Sequence, residues 1–344
     1  ETKDSVSKLS KEVESLTKAS ADVNARLEAT ARQTEALTEQ LPSRTAQQVA
    51  SSAQGVARQV DALGSRLFEA ITELPEYDLT RTEAQVMRLH GADMAQCLPA
   101  GACWIDLGAG NCEKAARLLG PLRAGRYVAV DISVDFLRHA LESLQRQHPH
   151  LPISGVGTDF SGGLALPGEL GLAPTQPRVL FYPGSSIGNF TPEHAVRFLR
   201  SLHGACGTAP GSGLLIGVDL LKEAAELEAA YDDTLGVTAA FDLNLLLHIN
   251  RLVGSDFAVR DWRHLSRFNA EHARVEMHLQ ARHEVRVRWP GGERLFAQGE
   301  TIHTENACKW TVPGFDALLR SAGFASTRSW TDPASRFAVF WALA

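Results

Sequence analysis

Three apolar segments in the first half of the chain end in glycine or acidic residues, which is the pattern of a nucleotide-binding site. The first ends in Asp106-Leu107-Gly108-Ala109-Gly110, the second at Asp131, 23 residues after Gly108, and the third at Asp159-Phe160. Glycines at a strand-to-helix turn let a ligand approach the backbone. A carboxylate at the end of the second strand can accept both hydroxyls of a ribose. The third motif offers an adenine both a ring to lie against and a carboxylate for a hydrogen bond.

The glycine turn distinguishes between two classes of adenosine-containing ligand. A glycine turn followed by an acid fits both NAD and S-adenosylmethionine, but the dinucleotide fingerprint Gly-x-Gly-x-x-Gly requires a third glycine. Glu113 stands at that position, which favours S-adenosylmethionine. A turn that binds no ligand is the alternative, and it is the weaker one because polar groups follow three successive strands.

A polar loop follows a fourth apolar run, at residues 179–182. Pro183-Gly184 ends this run, and Ser185, Ser186, Gly188 and Asn189 then precede Thr191-Pro192. This pattern indicates a buried strand that opens into a loop of small polar groups.

Short apolar runs alternate with helical patterns between residues 103 and 220. Strands are predicted in CWIDLGAG, RYVAVDIS, PISGVGTDF, PRVLFYPG and GLLIGVDL, and helices in CEKAARLLGPL, VDFLRHALESLQRQ and PEHAVRFLRSLHGAC. Strands that alternate with helices indicate a parallel sheet covered on both faces. The sequence therefore predicts an α/β fold in which the polar motifs follow the ends of successive strands.

The second half of the chain has a different pattern. Residues 221–253 are predicted to be mostly helical, and a β-hairpin with a Gly-rich turn is predicted in ARVEMHLQARHEVRVRW, PGGE and RLFAQGETIHTENA. A helix in GFDALLRSAGF and strands in STRSWTD and FAVFWALA follow. This order of helix, strand and strand suits an antiparallel final strand in the sheet.

Residues 1–60 contain no Trp, Tyr, Phe or His, and such a segment cannot form a core of its own. Its seam residues nevertheless recur three and four positions apart, as in a left-handed coiled coil. Pro42 ends or kinks this helix. It is either a solvated amphipathic helix packed on its own domain or a coiled coil that joins copies of the chain. The seam consists of Val6, Leu9, Val13, Leu16, Ser20, Val23, Leu27, Thr30, Thr34, Leu37 and Leu41.

The overall composition argues against several classes of function. The 344 residues carry a net charge of −6, whereas a nucleic-acid-binding protein needs a basic face. No apolar run is long enough to span a membrane, and the polar first residues predict no secretory signal. Because residue 1 is not Met, we expect a fragment or a processed form. The five cysteines form no Cys-x-x-Cys pair, which predicts free thiols in a reducing cytoplasm and no zinc site.

Several long segments of the chain carry a resemblance to a known family: LFEAITELPEYDLTRTEA, DLGAGNCEK, FYPGSSIGNFTP, GVDLLKE, AYDDTLGVTAAFDLNLLLHINR, RVEMHL and HTENACKW. These segments, which cover about residues 61–344, resemble the L-histidine Nα-methyltransferases of ergothioneine biosynthesis. It implies a Rossmann-like methyltransferase sheet with a second, substrate-binding subdomain. It also implies that the protein uses S-adenosylmethionine to trimethylate the α-amine of histidine, which gives hercynine.

The resemblance implies roles for individual residues. Asn189 would bind the α-amine and carboxylate of the substrate, and the Tyr231 hydroxyl would reach the same carboxylate, so that these two are the implied catalytic residues. Glu305 would accept the imidazole N–H and thereby select histidine. The implied cofactor-binding residues are Gly108, Gly110, Lys114, Asp131, Asp159 and Phe160, and the implied substrate-binding residues are Tyr77, Gly184, Asn189, Tyr231, Met277 and Glu305.

Other interpretations of three of these residues stay open. An Asn amide offers a donor and an acceptor, which suits the charged groups of an amino acid, but Asn189 is alternatively a turn or helix-cap residue. Thr191 can fill the capping role equally well. Tyr231 is alternatively an ordinary half-buried tyrosine, and Met277 a core residue.

Methyl transfer from a sulfonium to a neutral amine requires positioning, but no metal and no covalent intermediate. Three residues near the predicted pocket depart from the family, since Val60 and Asp78 each replace a Tyr and Ala307 replaces a Ser. One alternative is therefore an enzyme of the same fold that acts on another amino acid or amine, such as the prenylated tryptophan of fungal relatives. The other is a non-catalytic, oligomeric scaffold that binds S-adenosylmethionine, although such a scaffold would not need Asn189, Tyr231 and Glu305.

Three segments with different roles are predicted. Residues 1–60 form a helical, coiled-coil-like segment, residues 61–220 and 311–344 form the domain that binds S-adenosylmethionine, and residues 221–310 form an inserted substrate-binding subdomain. The expected partners are the cofactor, a small amino acid and further copies of the chain through the coiled coil. Neither nucleic acid nor a membrane is expected.

Overall fold

The computed structural model describes residues 63–160 and 163–344. Val60 and the predicted coiled coil lie outside the described residues, so that the coiled coil and the self-association stay predictions. Within the described ranges, no helix is long and apolar enough to cross a membrane.

The described chain divides into two compact units. The first, here called the sheet unit, contains Asp78–Leu227, Phe268–Glu276 and Glu305–Ala344. The second, here called the helix–hairpin unit, contains Glu228–Arg267, Met277–Thr304 and the described chain up to Tyr77. The predicted domain boundaries stay a prediction.

A seven-stranded sheet forms the centre of the sheet unit, in the order β11-β12-β5-β4-β1-β2-β3. Strands β1 to β5 run parallel, and the final strand β12 lies antiparallel to both β5 and β11. The predicted strands and the antiparallel final strand are confirmed. Their bounds are β1 Cys103–Leu107, β2 Arg126–Asp131, β3 Ile153–Gly157, β4 Arg178–Tyr182, β5 Gly213–Asp219, β11 Ser326–Thr331 and β12 Phe337–Leu343.

The strand order reverses between β1 and β4, which pair with each other. From this pair, β2 and β3 continue towards one edge of the sheet, and β5 continues towards the other. In open α/β sheets such a switch point opens a crevice at the carboxyl ends of the strands, and ligands bind there. The glycine turn follows β1 and the loop of Asn189 follows β4. The topology therefore brings these two motifs to the same edge of the sheet.

Helices flank these strands in the predicted alternation. The helices predicted near residues 113, 134, 192 and 312 are confirmed, whereas no helix was predicted for α1. The α-helices of the described chain include α1 Leu79–Cys97, α2 Glu113–Leu119, α3 Val134–Gln147, α4 Pro192–Ala205, α5 Ala224–Ala229, α6 Val237–Val253 and α7 Val312–Ser321, and residues 63–73 are also helical.

The predicted hairpin is confirmed only in its inner strands. Strands β8 (Val285–Trp289) and β9 (Gly292–Phe296) pair antiparallel around the Gly-rich turn. The outer strands, β7 (Arg274–Ala281) and β10 (Thr301–Cys308), belong to a separate three-stranded sheet of order β10-β7-β6. The remaining strand, β6 (Trp262–Asn269), was not predicted.

The core of the sheet explains why the strands read as continuous apolar runs. Every residue of β1 and of β5 is buried, as expected for parallel strands that are covered on both faces. Trp104, Phe181, Phe315 and Phe340 are among the largest buried side chains of this unit. Such packing leaves little room for added atoms, and glycine marks the closest approaches.

We predict that Gly213→Ala lowers the free energy of unfolding by about 1–3 kcal/mol through overpacking. Gly213 pairs with Leu343, and a Cβ at Gly213 would lie 2.4 Å from the Ala342 carbonyl oxygen and 2.8 Å from the Trp341 ring. The control is Gly91→Ala within α1, where an added Cβ meets no heavy atom of the described residues within 4 Å. This control should stabilise the protein by about 0.5–1 kcal/mol in urea denaturation. Equal changes in the free energy of unfolding for the two substitutions would contradict the close packing around Gly213.

Candidate active site

The glycine turn after β1 has an open face. Gly108 and Gly110 have φ values of +71° and +52°, a region that favours glycine. The N–H groups of Gly108 and Ala109 donate to the Val130 carbonyl at 2.9 and 3.2 Å, which fixes the turn against the end of β2. A Cβ at Gly110 would meet no described heavy atom within 4 Å. A ligand can therefore approach this backbone closely.

Asp131 is tied to the same turn. Its Oδ2 accepts the Gly110 N–H at 2.9 Å and its Oδ1 accepts the Ser133 N–H at 2.8 Å. The residue is half-buried. Because each carboxylate oxygen has two acceptor sites, both oxygens keep capacity for ligand hydroxyls while their orientation is fixed.

Phe160 connects the end of β3 with the glycine turn. Its Cζ would lie 3.9 Å from a Cβ at Gly108, and its half-buried ring packs against Phe198 and Tyr182, with centroid distances of 6.1 and 6.2 Å. Asp159, which precedes it, is exposed. The predicted cofactor residues Gly108, Gly110, Asp131 and Phe160 thus lie together at one edge of the sheet.

A buried carboxyl group lies directly before the glycine turn. The Tyr127 hydroxyl donates to Asp106 Oδ2 at 2.7 Å, and Asp106 is 2% exposed. Burial is the main reason that the pKa of Asp106 is raised to about 7, although this hydrogen bond lowers it. This pair was not predicted, because a single Asp in a strand motif does not indicate which tyrosine it will meet.

Lys114 and Gly184 share a partner that was also not predicted. Lys114 Nζ lies 2.7 Å from Glu83 Oε2, and the Gly184 N–H donates to Glu83 Oε1 at 2.8 Å. Glu83, in α1, is 2% exposed. One buried carboxylate therefore holds a predicted cofactor residue and a predicted substrate residue.

The loop after β4 is held at both ends. Ser185 is buried and has a φ of +58°, and its Oγ accepts the Asp219 N–H at 2.8 Å. A Cβ at Gly188 would lie 2.9 Å from the Cys308 carbonyl oxygen, so that this close approach to the end of β10 requires glycine. The loop that carries Asn189 therefore packs against the strand that carries Glu305.

A network of charged side chains around the buried Asp219 supports this loop. Asp219 is fully buried, and Lys222 Nζ and Lys309 Nζ each lie 2.8 Å from one of its oxygens. Lys222 also reaches Asp78 Oδ1 at 2.9 Å, and Arg336 Nε lies 2.6 Å from Asp78 Oδ2. Asp78, which stands where the resembled family often has a Tyr, thus forms ion pairs within the sheet unit.

The charge of Asp78 follows from these partners. Burial alone would raise the pKa of Asp78, but the hydrogen bonds from Lys222 and Arg336 outweigh it and hold the pKa below its usual value. Asp78 is therefore ionised at neutral pH. It also precedes the first residue of α1, the helix that carries Glu83.

The predicted substrate residues of the sheet unit lie on the loop and on β10. Asn189 is exposed at the end of a 3₁₀ turn, Ser186–Asn189, and Thr191 caps α4 by accepting the His194 N–H at 3.4 Å. Asn189 is therefore not the helix cap. Glu305 is half-buried and Ala307 is buried, both near the end of β10.

The helix–hairpin unit contains Tyr77, Tyr231 and Met277. The rings of Tyr77 and Tyr231 meet edge to face with centroids 6.0 Å apart, and Met277 is buried in β7. The side chains of Tyr77 and Tyr231 are thus positioned by each other.

The arrangement of a glycine turn, an acid after β2 and a small-residue loop after β4 agrees with one protein family. A family model described as histidine-specific methyltransferase, SAM-dependent, matches residues 59–344. The chain belongs to this family.

Curated relatives support the assignment to the histidine-specific methyltransferases. The chain is 38% identical over 289 residues to the histidine N-alpha-methyltransferase of Mycolicibacterium smegmatis, which covers 82% of this chain and 88% of the relative. It is 39% identical over 286 residues to the enzyme of the same name from Mycobacterium tuberculosis, covering 81% of this chain and 86% of the relative. Identity to ergothioneine biosynthesis protein 1 of Neurospora crassa is 31%, over 78% of this chain and 30% of that protein.

In this methyltransferase, a buried histidine fixes the backbone of Tyr231. His264 Nδ1 lies 2.7 Å from Asp242 Oδ2, and His264 Nε2 lies 2.8 Å from the Tyr231 carbonyl oxygen. Both neighbours are acceptors, so that both contacts are satisfied when both ring nitrogens carry a proton. Burial by itself lowers the pKa of His264, but the bonds to Asp242 and Tyr231 raise it above its usual value. A single histidine in a strand gives no signal of this role.

We predict that His264 stabilises the methyltransferase most below about pH 6.5, the ordinary pKa of histidine. Because the folded pKa is raised, this contribution is lost as the pH rises through the folded value. His264→Gln should lower the free energy of unfolding by about 1.5–3 kcal/mol at low pH, and by less at high pH. The control is His283→Gln, at an exposed histidine of the same unit. A His264→Gln effect that is constant across this pH range would contradict the doubly protonated ring.

Proposed function

We propose that this methyltransferase transfers methyl groups from S-adenosylmethionine to the α-amine of L-histidine and that three transfers give hercynine. The main support is the match to the histidine-specific family over residues 59–344. The contact between the Asn189 loop and the end of β10 adds to this support, because it places an amide and a carboxylate on neighbouring segments.

We assign the cofactor to the edge of the sheet at the switch point. S-adenosylmethionine supplies a methyl group that its sulfonium makes electrophilic. The open backbone of Gly108 and Gly110 leaves room for such a ligand, and the fixed Asp131 carboxylate offers acceptors for ribose hydroxyls. Asp159 and Phe160 would accommodate the adenine, and Lys114 would hold an anionic group of the cofactor.

We assign the amino acid to residues of complementary polarity. Asn189 presents its amide at the surface of the loop, where it can accept from the α-amine and donate to the carboxylate. The Tyr231 hydroxyl would donate to the same carboxylate, and Glu305 would accept the imidazole N–H. Tyr77, Gly184 and Met277 are the further substrate-binding residues that the resemblance implies.

Catalysis by this set of residues depends mainly on positioning. The substrate amine must be neutral to act as a nucleophile, and either Tyr231 or water would accept its proton. The small residues Gly184 and Ser186 leave space for an amine that already carries one or two methyl groups. Self-association through the heptad pattern of residues 1–41 is a separate hypothesis that rests on the sequence alone.

We predict that Asp131→Ala weakens the binding of S-adenosylhomocysteine about ten- to hundredfold. The loss of a charge-assisted hydrogen bond of about 1.5–3 kcal/mol accounts for this range. Glu113→Ala, which removes an exposed carboxylate near the same turn, is the control and should leave the affinity unchanged. Calorimetric titration measures both. Unchanged affinity in Asp131→Ala would overturn the ribose assignment.

We predict that the wild-type enzyme converts histidine to its mono-, di- and trimethylated forms, as detected by mass spectrometry. Glu305→Ala should reduce kcat/KM for histidine about ten- to hundredfold, because the imidazole N–H loses a charged acceptor. Turnover of tryptophan or phenylalanine, if slow turnover occurs, should be spared. Glu305→Gln keeps an amide oxygen as acceptor and should be less impaired.

Two outcomes would contradict the proposed methylation of histidine. A wild-type enzyme that leaves histidine unchanged but methylates an indole or phenol amino acid would establish another acceptor for the same fold. An enzyme that binds S-adenosylhomocysteine but methylates none of these amino acids would favour the non-catalytic scaffold.

A further inference from the structure

A buried glutamate in α1 connects two segments that have separate predicted roles. Glu83 Oε2 pairs with Lys114, which follows the glycine turn, and Glu83 Oε1 accepts the backbone N–H of Gly184, which begins the Asn189 loop. The two contacts measure 2.7 and 2.8 Å and use different oxygens of one carboxylate. A shift of this carboxylate would therefore affect both segments.

Two glycines leave the space that this arrangement needs. A Cβ at Gly217, in β5, would lie 2.3 Å from Glu83 Oε1 and 2.9 Å from the Phe337 ring. Gly184 has a φ of +75°, and a Cβ there would lie 3.0 Å from Lys114 Nζ. The carboxylate thus lies against the sheet at a point where the backbone carries no side chain.

The difference in burial between the paired groups indicates how they act. The Glu83 side chain is 3% exposed, whereas that of Lys114 is 39% exposed. An isolated buried carboxylate is costly, so that Glu83 requires its ammonium partner. An ammonium has three donors, and the contact with Glu83 uses one of them. Within the part of the chain that the structure describes, two donors of Lys114 thus stay available for an anionic group of a ligand.

We propose that Glu83 is a positioning residue for methyl transfer. It holds the ammonium of Lys114 for the cofactor and anchors Gly184 at the start of the Asn189 loop. One buried carboxylate thereby fixes the position of the cofactor relative to the Asn189 loop. The inference rests on the proposed function for the roles of Lys114 and the loop, and on the structure for the contacts.

The variant Glu83→Gln separates the two contacts. Its amide oxygen can still accept the Gly184 N–H, but its NH₂ group then faces the ammonium of Lys114, so that two donors oppose each other. We expect the affinity for S-adenosylhomocysteine to fall about tenfold, by analogy with the loss of one charge-assisted hydrogen bond. The KM for histidine should change less than twofold, on the order of ordinary surface substitutions.

The matched control is Asp332→Asn, at another buried carboxylate of the sheet unit. Asp332 is 3% exposed and accepts the backbone N–H groups of Ala334, Arg336 and Phe337 at 2.7 to 2.9 Å. Its substitution should lower the melting temperature without weakening the binding of S-adenosylhomocysteine. A loss of affinity equal to that of Glu83→Gln would indicate a general effect of destabilisation and overturn the proposal.

A double-variant cycle with Lys114→Met tests whether Glu83 acts through Lys114. Lys114→Met leaves the buried carboxylate unpaired, so that this variant should melt at a lower temperature than the double variant Glu83→Gln/Lys114→Met. If the proposal is correct, Glu83→Gln weakens S-adenosylhomocysteine binding in the wild-type background but not in the Lys114→Met background. Equal fold-changes in the two backgrounds would overturn it.

The binding experiments also separate this proposal from the proposed function. Titration with S-adenosylhomocysteine needs no acceptor, so that the cycle gives a result even if histidine is not the substrate. If the wild type binds S-adenosylhomocysteine without methylating histidine, the acceptor assignment fails while the cycle still decides the role of Glu83. If histidine is methylated but the effects of Glu83→Gln and Lys114→Met on the affinity are additive, only the proposed role of Glu83 is wrong.

Discussion

The ion pairs of the fully buried Asp219 carboxylate are the interaction on which the loop of Asn189 depends. Asp219 lies at the end of β5, pairs with Lys222 and Lys309, and its backbone N–H donates to Ser185. Removing one partner from a buried ion pair commonly costs about 3–5 kcal/mol. The segments that supply these partners are therefore held together: the loop after β4, the end of β10 and the chain after β5. Compared with apolar side chains of similar volume, these buried ion pairs contribute little net stability. Their main effect is therefore to fix the positions of these three segments.

Three buried carboxyl groups of the sheet unit differ in their hydrogen-bonding and charged partners. Asp219 has two ammonium partners, whereas Glu83 has one ammonium and one backbone N–H. Asp106 accepts a hydrogen bond from the neutral Tyr127, and burial raises its pKa to about 7 although this bond lowers it. The loops after β1 and β4 are thus held by carboxyl groups with cationic partners, whereas the carboxyl group next to the glycine turn has a neutral partner.

Strands β1, β2, β4 and β5 could be predicted from the sequence because their burial leaves a continuous apolar run that ends at glycine, proline or an acid. Strand β6 could not, because its eight residues include two arginines, a histidine and an asparagine, and only Trp262 is fully buried. The break between β7 and β8, at residues 282–284, has neither glycine nor proline and was therefore read as continuous strand. Local patterns identify an element only where the neighbouring structure imposes a simple periodicity.

The predicted site residues on the glycine turn and after β2 were recognisable because their chemistry depends on nearby chain positions. Glu83 and His264 were not, because their partners lie far along the sequence. Glu83 is separated from Lys114 by 31 positions and from Gly184 by 101, and His264 is separated from Tyr231 by 33. Supporting residues of this kind are defined by the tertiary fold, and a single sequence contains no local signal for them.

The insertion of β12 between β5 and β11 has a consequence for synthesis of the protein. Although β5 ends at residue 219, its second edge is covered only by residues 337–343. Until this segment has left the ribosome, β5 presents an unpaired, apolar edge, which is the kind of surface that associates with other chains. The five parallel strands can assemble before this segment emerges, but the sheet closes only when β12 is added. Nascent chains that stall before residue 337 are therefore the species most in need of chaperone protection.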